Sequence, residues 1–480
     1  MTHMLRSVLL MGALAVSTGC PKPALPPTPP VVTADNTWAP DAPVVAQTVA
    51  NGELWHLHRP GLPLVSLRLV LPGGSSLDPA EQHGLTSFSD DMLLRGSGDM
   101  DAAAFSAALQ RDAIDLSVQT HRSATVVSLD CTADVLPAAL ALLDQALTAP
   151  SFDAAEVDRA RAQRIQSRKD ALDDPRSVAS AVGWSWWFGA DSPYAHSGAG
   201  TVSGLEAIAP DDLSASWTAR ARPETARWVV VGDADLDTVQ DLLEKQFGDW
   251  APSGDAPPTL PPPPGRTVPH AKGGRILVDN PGASQTVLRV WMPGWSPTDP
   301  QLVAGDLGTV VLGGTFTSRL NALLREEKGY TYGARASVVT GQGYGAVQVY
   351  TNVFIDTTGD ALADLTGELK RITEGVTEDE VGKARASRRT DAIEVAAGRA
   401  STAYHLVGLA VDGRPADAQL SDLRLADRVQ KSDIDGVMAT LSLDDAMVVV
   451  VGDLEKIRAP VEAALPGDWQ VVDVHGKPVQ

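Results

Sequence analysis

Short apolar runs and helically spaced apolar positions both occur along the chain, and they predict a mixture of strands and helices. The runs 64–71 and 228–231 are mainly apolar and favour strands, whereas 102–109 and 136–147 carry helical spacing. Strands and helices do not alternate regularly, and no glycine-rich phosphate loop follows a strand, which disfavours a dinucleotide-binding fold. The pattern predicts an α+β fold with antiparallel-rich sheets covered by helices.

Three segments of the chain recur 220, 221 and 224 residues later. Three matches at nearly one offset indicate an internal duplication, so we expect two homologous halves with the same fold. The matches are RWVVVGD at 227–233 with MVVVVGD at 447–453, LRLVLPG at 67–73 with LRVWMPG at 288–294, and EVDRAR at 156–161 with EVGKAR at 380–385.

The first twenty residues are typical of an export signal. Arg6 precedes the apolar run 7–16, and the segment ends in Ser-Thr-Gly-Cys at 17–20. This ending resembles a bacterial lipobox, so we expect cleavage before Cys20 and lipid on its thiol. Ordinary cleavage is the alternative, because Ser17 stands where a leucine is usual. We expect an exported lipoprotein, anchored in a membrane and facing the periplasm or the cell exterior.

Two proline-rich stretches divide the rest of the chain. Such stretches form stiff, extended spacers rather than helices or sheet interiors. The predicted organisation is a signal peptide at 1–20, a spacer at 21–45, a first domain at 46–251, a linker at 252–272 and a second domain at 273–480.

Composition and charge indicate a globular protein that does not bind nucleic acid. The chain is 44% hydrophobic and 21% charged, which is typical of a globular protein. Acidic residues number 60 against 39 basic ones, for a formal charge of −21, so a phosphate backbone would be repelled and nucleic acid is not an expected partner. The second cysteine, Cys131, is predicted to be a small buried side chain.

Six further segments stand in a characteristic order and spacing: NGEL at 51–54, PLVSLR at 63–68, GLTSFSDDM at 84–92, DSPY at 191–194, VVVGD at 229–233 and GGTFTSRL at 313–320. Through these segments the chain resembles, from residue 44 to 472, the insulinase/pitrilysin family of zinc peptidases, which includes the mitochondrial processing peptidases. The resemblance implies that the two halves face each other across a chamber.

The zinc motif of that family is degenerate in this chain. Active members carry H-x-x-E-H where this sequence reads SFSDD at 87–91. Ser87 and Asp91 occupy the positions of the two ligands, and Asp90 occupies that of the general base, one methylene shorter than glutamate. The family's third ligand, a glutamate, aligns near Gln166 and Ser167. We therefore expect no zinc and no catalytic residue in this chain alone.

Other side chains offer two alternative metal sites. His83, Asp90 and Asp91 can share a helical face, but His83 is predicted to precede the helix, and a solvated acidic helix end is the favoured interpretation. His56 and His58 alternate on one face of a predicted strand. The sequence shows no third ligand for this pair, so surface or edge-strand histidines are the favoured interpretation.

The second half retains a substrate-side element of the family. LREEKGYTY at 324–332 places Arg325 and Tyr332 at the family positions. The resemblance implies that, in active members, these side chains face the zinc, contact the substrate backbone and help to stabilise the oxyanion. The alternative is a surface ion pair between Arg325 and a neighbouring glutamate, with Tyr332 packed at the start of a strand.

These observations favour a non-catalytic, substrate-binding subunit of a heteromeric zinc endopeptidase. Its expected partner is a paralogous subunit that carries H-x-x-E-H and the zinc, and its expected substrate is a peptide or an unfolded polypeptide. The alternative is an inert scaffold or peptide-binding envelope lipoprotein with the same fold. A third hypothesis is a hydrolase with an unrelated metal arrangement around Asp90 and Asp91.

Overall fold

The computed structural model describes residues 38–49, 52–251, 257–262 and 274–479. The predicted signal peptide, Cys20, most of the spacer and most of the linker lie outside these ranges. Within them, no helix is both long and apolar enough to cross a membrane.

The first half is built around a six-stranded sheet in the order β1-β2-β8-β3-β7-β6, in which only β2 and β8 pair in parallel. Strands β4 and β5 form a separate short hairpin. The strands are β1 (Val44–Val49), β2 (Gly52–His58), β3 (Leu64–Pro72), β4 (Gly96–Ser97), β5 (Met100–Asp101), β6 (Asp115–Thr120), β7 (Ala124–Thr132) and β8 (Arg227–Gly232).

The second half repeats this arrangement in the order β11-β12-β10-β13-β9-β14. The run β9-β13-β10-β12-β11 has the same directions as β2-β8-β3-β7-β6, so the strand pairing confirms the duplication. The strands are β9 (Arg275–Asp279), β10 (Gln285–Pro293), β11 (Ala334–Gly341), β12 (Tyr344–Phe354), β13 (Met447–Gly452) and β14 (Gln470–Val472).

Helices surround both sheets, which confirms the α+β prediction. In the first half they are α1 (Leu85–Met92), α2 (Ala102–Arg111), α3 (Leu136–Thr148), α4 (Ala154–Leu172), α5 (Pro175–Phe188), α6 (Val202–Ala207), α7 (Pro210–Arg220) and α8 (Leu236–Phe247). In the second half they are α9 (Leu302–Thr309), α10 (Thr358–Thr373), α11 (Glu378–Ala397), α12 (Arg399–Val411), α13 (Ala418–Ala426), α14 (Lys431–Met438) and α15 (Leu454–Ala464).

The two halves exchange one helix each. Helix α5 of the first half packs on β10 and β13 of the second sheet, and α12 of the second half packs on β3 and β8 of the first. Gly183 of α5 lies directly against the Trp291 ring, where a Cβ atom would come within 2.1 Å of the ring. Each sheet is therefore buried on one face by its own helices and on the other by a helix of the other half.

Candidate functional site

Helix α1, which carries the degenerate motif, is fixed at its first turn by Asp78. Gly84 precedes the helix with φ 103°, and the Asp78 carboxylate accepts hydrogen bonds from the backbone N–H groups of Gly84 and Thr86, at 2.7 and 2.8 Å. Burial raises the pKa of Asp78. His83 therefore precedes the helix, as predicted, and α1 presents residues 87–91 in a fixed orientation.

Asp90 is not the solvated acid that the sequence suggested. Its side chain is 2% exposed, and one oxygen accepts a hydrogen bond from Nη2 of Arg220 at 2.8 Å. The hydroxyls of Thr120 and Thr125 donate to its other oxygen. The prediction of a solvated helix end was wrong for Asp90, because Arg220, 130 residues away in sequence, pairs with this carboxylate in the interior, whereas the Asp91 side chain is 35% exposed.

The space between the two former ligand positions is occupied by the Arg164 guanidinium from α4. Its Nη2 donates to Oγ of Ser87, which itself donates to the carbonyl of Gly198. Its Nη1 lies 3.9 Å from Oδ2 of Asp91. A cation of the protein itself thus stands between the residues that replace the metal ligands, and a guanidinium keeps its charge at neutral pH.

The aligned third-ligand position offers nothing to a metal either. Gln166 and Ser167 are exposed, and the Gln166 amide donates to Asp170. One hydroxyl, one carboxylate and an arginine are not a donor set for zinc. In the ranges that the structure describes, no three His, Cys, Asp or Glu side chains form a group that could hold a metal ion.

The histidine pairs take other roles. His83 stacks on His196 with ring centroids 3.5 Å apart. His56 and His58 share a face of β2, but His56 is buried and its Nε2 lies 2.9 Å from the carbonyl of Ala234. The expectation of surface or edge-strand histidines was wrong for His56, because β2 lies between β1 and β8 rather than at the edge.

The second half carries the same arginine device. Arg388 of α11 lies 224 residues after Arg164, the offset found for the surrounding segment. Its guanidinium forms two hydrogen bonds with Asp306 of α9 and one with Asp391. Arg164 of α4 thus bonds to α1 in the first half, and Arg388 of α11 bonds to α9, the counterpart of α1, in the second.

The segment with Arg325 and Tyr332 is held by a buried asparagine. Asn321 donates to the carbonyls of Thr315 and Ala334, both at 2.9 Å, and accepts from the Ala334 N–H at 3.0 Å. A π-helical turn spans Asn321–Glu327 and carries Arg325. These bonds fix both ends of the segment, so its functional side chains project from a rigid base.

Four side chains on this base form what we call the arginine–tyrosine surface: Phe316, Arg325, Tyr332 and Phe354. The Arg325 guanidinium lies 3.7 Å from the Phe316 ring centroid, and the Tyr332 and Phe354 rings meet edge to face at 6.3 Å. Tyr332 is 83% exposed and Phe316 61% exposed. The alternative in which Tyr332 packs at a strand start is therefore wrong, although Arg325 does lie 3.4 Å from the neighbouring Glu326.

Sequence reasoning missed two arginines of this site. Arg220 gave no signal, because its partner is distant in sequence. Two features of the sequence could have indicated Arg164. It lies between Arg161 and Arg168 at helical spacing, and a second arginine, Arg388, follows it at the duplication offset of 224 residues.

Two family models match the chain: Insulinase (Peptidase family M16) over residues 57–182, and Peptidase M16 inactive domain over 207–388. An uncharacterized zinc protease of Streptomyces coelicolor is 24% identical over 313 residues, which span 65% of this chain and 68% of that protein. The non-peptidase homologue YmxG of Helicobacter pylori is 22% identical over 330 residues, 68% of this chain and 74% of the homologue. The crystal structure of a peptidase M16 inactive domain from Pseudomonas fluorescens matches with a TM-score of 0.77 and 21% identity, over 85% of this chain and 97% of that one.

Proposed function

The chain belongs to the M16 (insulinase) peptidase family as a non-catalytic relative, and from that premise we propose that it is the substrate-binding subunit of a heteromeric zinc endopeptidase. In this proposal a paralogous partner carries the intact H-x-x-E-H motif and the zinc. The present chain contributes Arg325 and Tyr332 to the shared site, and the substrate is a peptide or an unfolded polypeptide.

The exposure of the arginine–tyrosine surface is the observation that carries the proposal. Exposed aromatic rings beside a guanidinium are typical of interaction sites, because they bury a large area at low cost in side-chain entropy. The contacts described for Arg325 and Tyr332 all lie within the second half. This surface is therefore available to another molecule, whereas the chain's own metal position is closed by Arg164.

The two side chains suit the role chemically. A guanidinium fixed on an aromatic ring donates to carbonyl oxygens and stabilises a developing oxyanion, and a phenolic hydroxyl donates a second hydrogen bond. The zinc of the partner would supply the activated water. The rigid base around Asn321 keeps the two donors in place before the substrate arrives.

The first experiment is purification of the tagged chain from its own host, followed by mass spectrometry of the proteins that accompany it. We expect a paralogue with intact H-x-x-E-H. In the purified complex, Arg325→Ala should lower kcat for peptide cleavage by about 100-fold, because one oxyanion donor contributes roughly that much. Arg335→Ala, which removes an exposed charge from the neighbouring strand β11, should leave kcat unchanged.

The inert scaffold remains the competing function, and the same experiment separates the two. Recovery of an assembly without such a paralogue would favour the scaffold. So would an intact complex in which Arg325→Ala retains full cleavage.

We further propose that lipid on Cys20 holds the protein at a membrane outside the cytoplasm. The supporting observation is the Ser-Thr-Gly-Cys ending of the apolar leader at 17–20. A Cys20→Ser chain should move from the membrane fraction to the soluble exported fraction. Retention in the membrane fraction would contradict the anchor.

A further inference from the structure

A basic pocket lies beside the filled metal position. It is a cavity of about 420 Å³ between α4, α5, the turn that joins β6 to β7 and the segment 195–198. Arg122, Arg168, His121 and five serine or threonine side chains line it. No carboxylate occurs among the described residues of its wall, although the chain as a whole carries a formal charge of −21.

Two side-chain nitrogens of this pocket have no partner among the described residues. Nε of Arg168 and Nε2 of His121 are buried without a hydrogen bond. Within the described ranges, Arg168 forms no hydrogen bond or ion pair at all. Because buried polar atoms are normally hydrogen-bonded, the unused donors of Arg168 can serve a ligand that enters the pocket.

The other walls of the pocket are fixed in place. Arg122 donates from Nε to the carbonyl of Tyr194 at 3.0 Å, and its guanidinium lies 4.8 Å from the Trp184 ring centroid. The backbone N–H of Ser75 donates to the carbonyl of His121 at 2.9 Å. Arg122 and the turn at His121 are thus positioned before any ligand binds, which lowers the cost of binding.

The corresponding cavity of the second half differs in its charge balance, because three aspartates line it. In the corresponding cavity of that half, Arg388 is bonded to Asp306, and Arg414 forms two hydrogen bonds with Asp422. At the duplication offsets of 220 and 224, the counterparts of Arg122 and Arg168 are Gln342 and Ala392. Of these two cavities, therefore, only that of the first half has a basic wall without carboxylates among its described residues.

We propose that this pocket binds a small oxyanion, a carboxylate or a phosphate, through Arg168, Arg122 and the surrounding hydroxyls. Planar guanidinium groups and hydroxyl donors match the geometry of both anions. The site is separate from the arginine–tyrosine surface and uses residues of this chain only, so it does not depend on a partner subunit.

The test is titration calorimetry on the full mature chain at constant ionic strength, with inorganic phosphate and with N-acetylglycine as probes. N-acetylglycine amide, which lacks the carboxylate, serves as the neutral control ligand. Arg168→Gln should weaken binding of whichever anion the wild type binds by roughly tenfold or more, because the substitution removes a charge-assisted donor. Lys169→Gln removes the same charge from the exposed neighbouring position of α4 and should bind as the wild type does.

The outcomes separate the two sources of the anion. Binding of N-acetylglycine but not of its amide identifies a carboxylate site, and binding of phosphate alone identifies a phosphate site. Thermal unfolding without ligand gives a second measurement: Arg168→Gln should melt at a higher temperature than the wild type, because it removes an unpaired guanidinium. Absence of binding by both anions, or equal losses in Arg168→Gln and Lys169→Gln, would overturn the proposal.

Discussion

Asp90 and Arg220 form the most enclosed ion pair described for the first half, with each side chain 2% exposed. Two charges so far from water are tolerated only when their remaining hydrogen-bonding capacity is used. Thr125 contributes to both partners, because its hydroxyl accepts from Arg220 at 2.9 Å and donates to Asp90 at 2.8 Å. The residue that replaces the catalytic glutamate has therefore become part of the interior.

Asp90→Asn should destabilise the protein by about 3–5 kcal/mol, because it leaves the Arg220 guanidinium buried without a counter-charge. The measurement is the free energy of unfolding from chemical denaturation. Asp91→Asn is the matched control, and its loss should stay below about 1 kcal/mol because that carboxylate is partly exposed. Equal losses for the two variants would show that Asp90 is not the buried partner described above.

At the scale of elements, α1 is held against the segment 194–200 by more than the bond from Ser87 to Gly198. The His83 and His196 rings stack between the two elements. The pKa of His83 is lowered from 6.5 to about 4, first by burial and then by the charge of His196. Burial also lowers the pKa of His196. Both rings are therefore neutral at neutral pH.

This pair should make the protein less stable in mild acid. Between the unfolded pKa of 6.5 and the folded pKa of about 4, the unfolded chain binds a proton that the folded chain excludes, so stability falls as pH falls through this window. The loss should reach about 1–2 kcal/mol after allowance for partial exposure.

The measurement is the melting temperature from pH 7 to pH 4. His83→Phe, which keeps a ring but cannot be protonated, should show a shallower slope than the wild type. His475→Gln, at an exposed position, should follow the wild type. An unchanged slope in His83→Phe would exclude this pair as the cause.

At the scale of the whole molecule, the exchanged helices make the two halves dependent on each other. The buried face of α12 includes Leu406 and Val407 and covers apolar residues of the first sheet. The buried face of α5 includes Trp187 and covers apolar residues of the second sheet. Separation of the halves would expose both sheets, at a cost proportional to the apolar area uncovered.

Cleavage of the linker should therefore leave the two halves associated. A specific protease site placed at residues 263–268 allows the cut to be made after folding. Gel filtration should show both fragments eluting together at the position of the uncut chain, and denaturant should be needed to separate them. Elution as two separate fragments would show that the exchanged helices do not hold the halves together.

Predictions from local sequence were accurate for the positions of strands and helices, which local sequence determines. Strands β3 and β8 and helices α2 and α3 lie where the apolar patterns predicted them, because side-chain period decides which face an element buries. The duplication was visible as repeated segments, and the sheets repeat the same strand order. The interior place of β2 was not predicted, because neighbours in a sheet are not neighbours in sequence.

By itself, the sequence determined the fold class, the duplication, the family and the loss of the zinc motif, because each depends on residue types at fixed spacing. Only the tertiary structure decided what replaced the metal. Arg164 reaches Ser87 across 77 residues of sequence and Arg220 reaches Asp90 across 130. It likewise brought Arg122 and Arg168 together without a carboxylate. The physical reason is that charge pairing and burial depend on distances in space, which chain folding sets and local spacing does not encode.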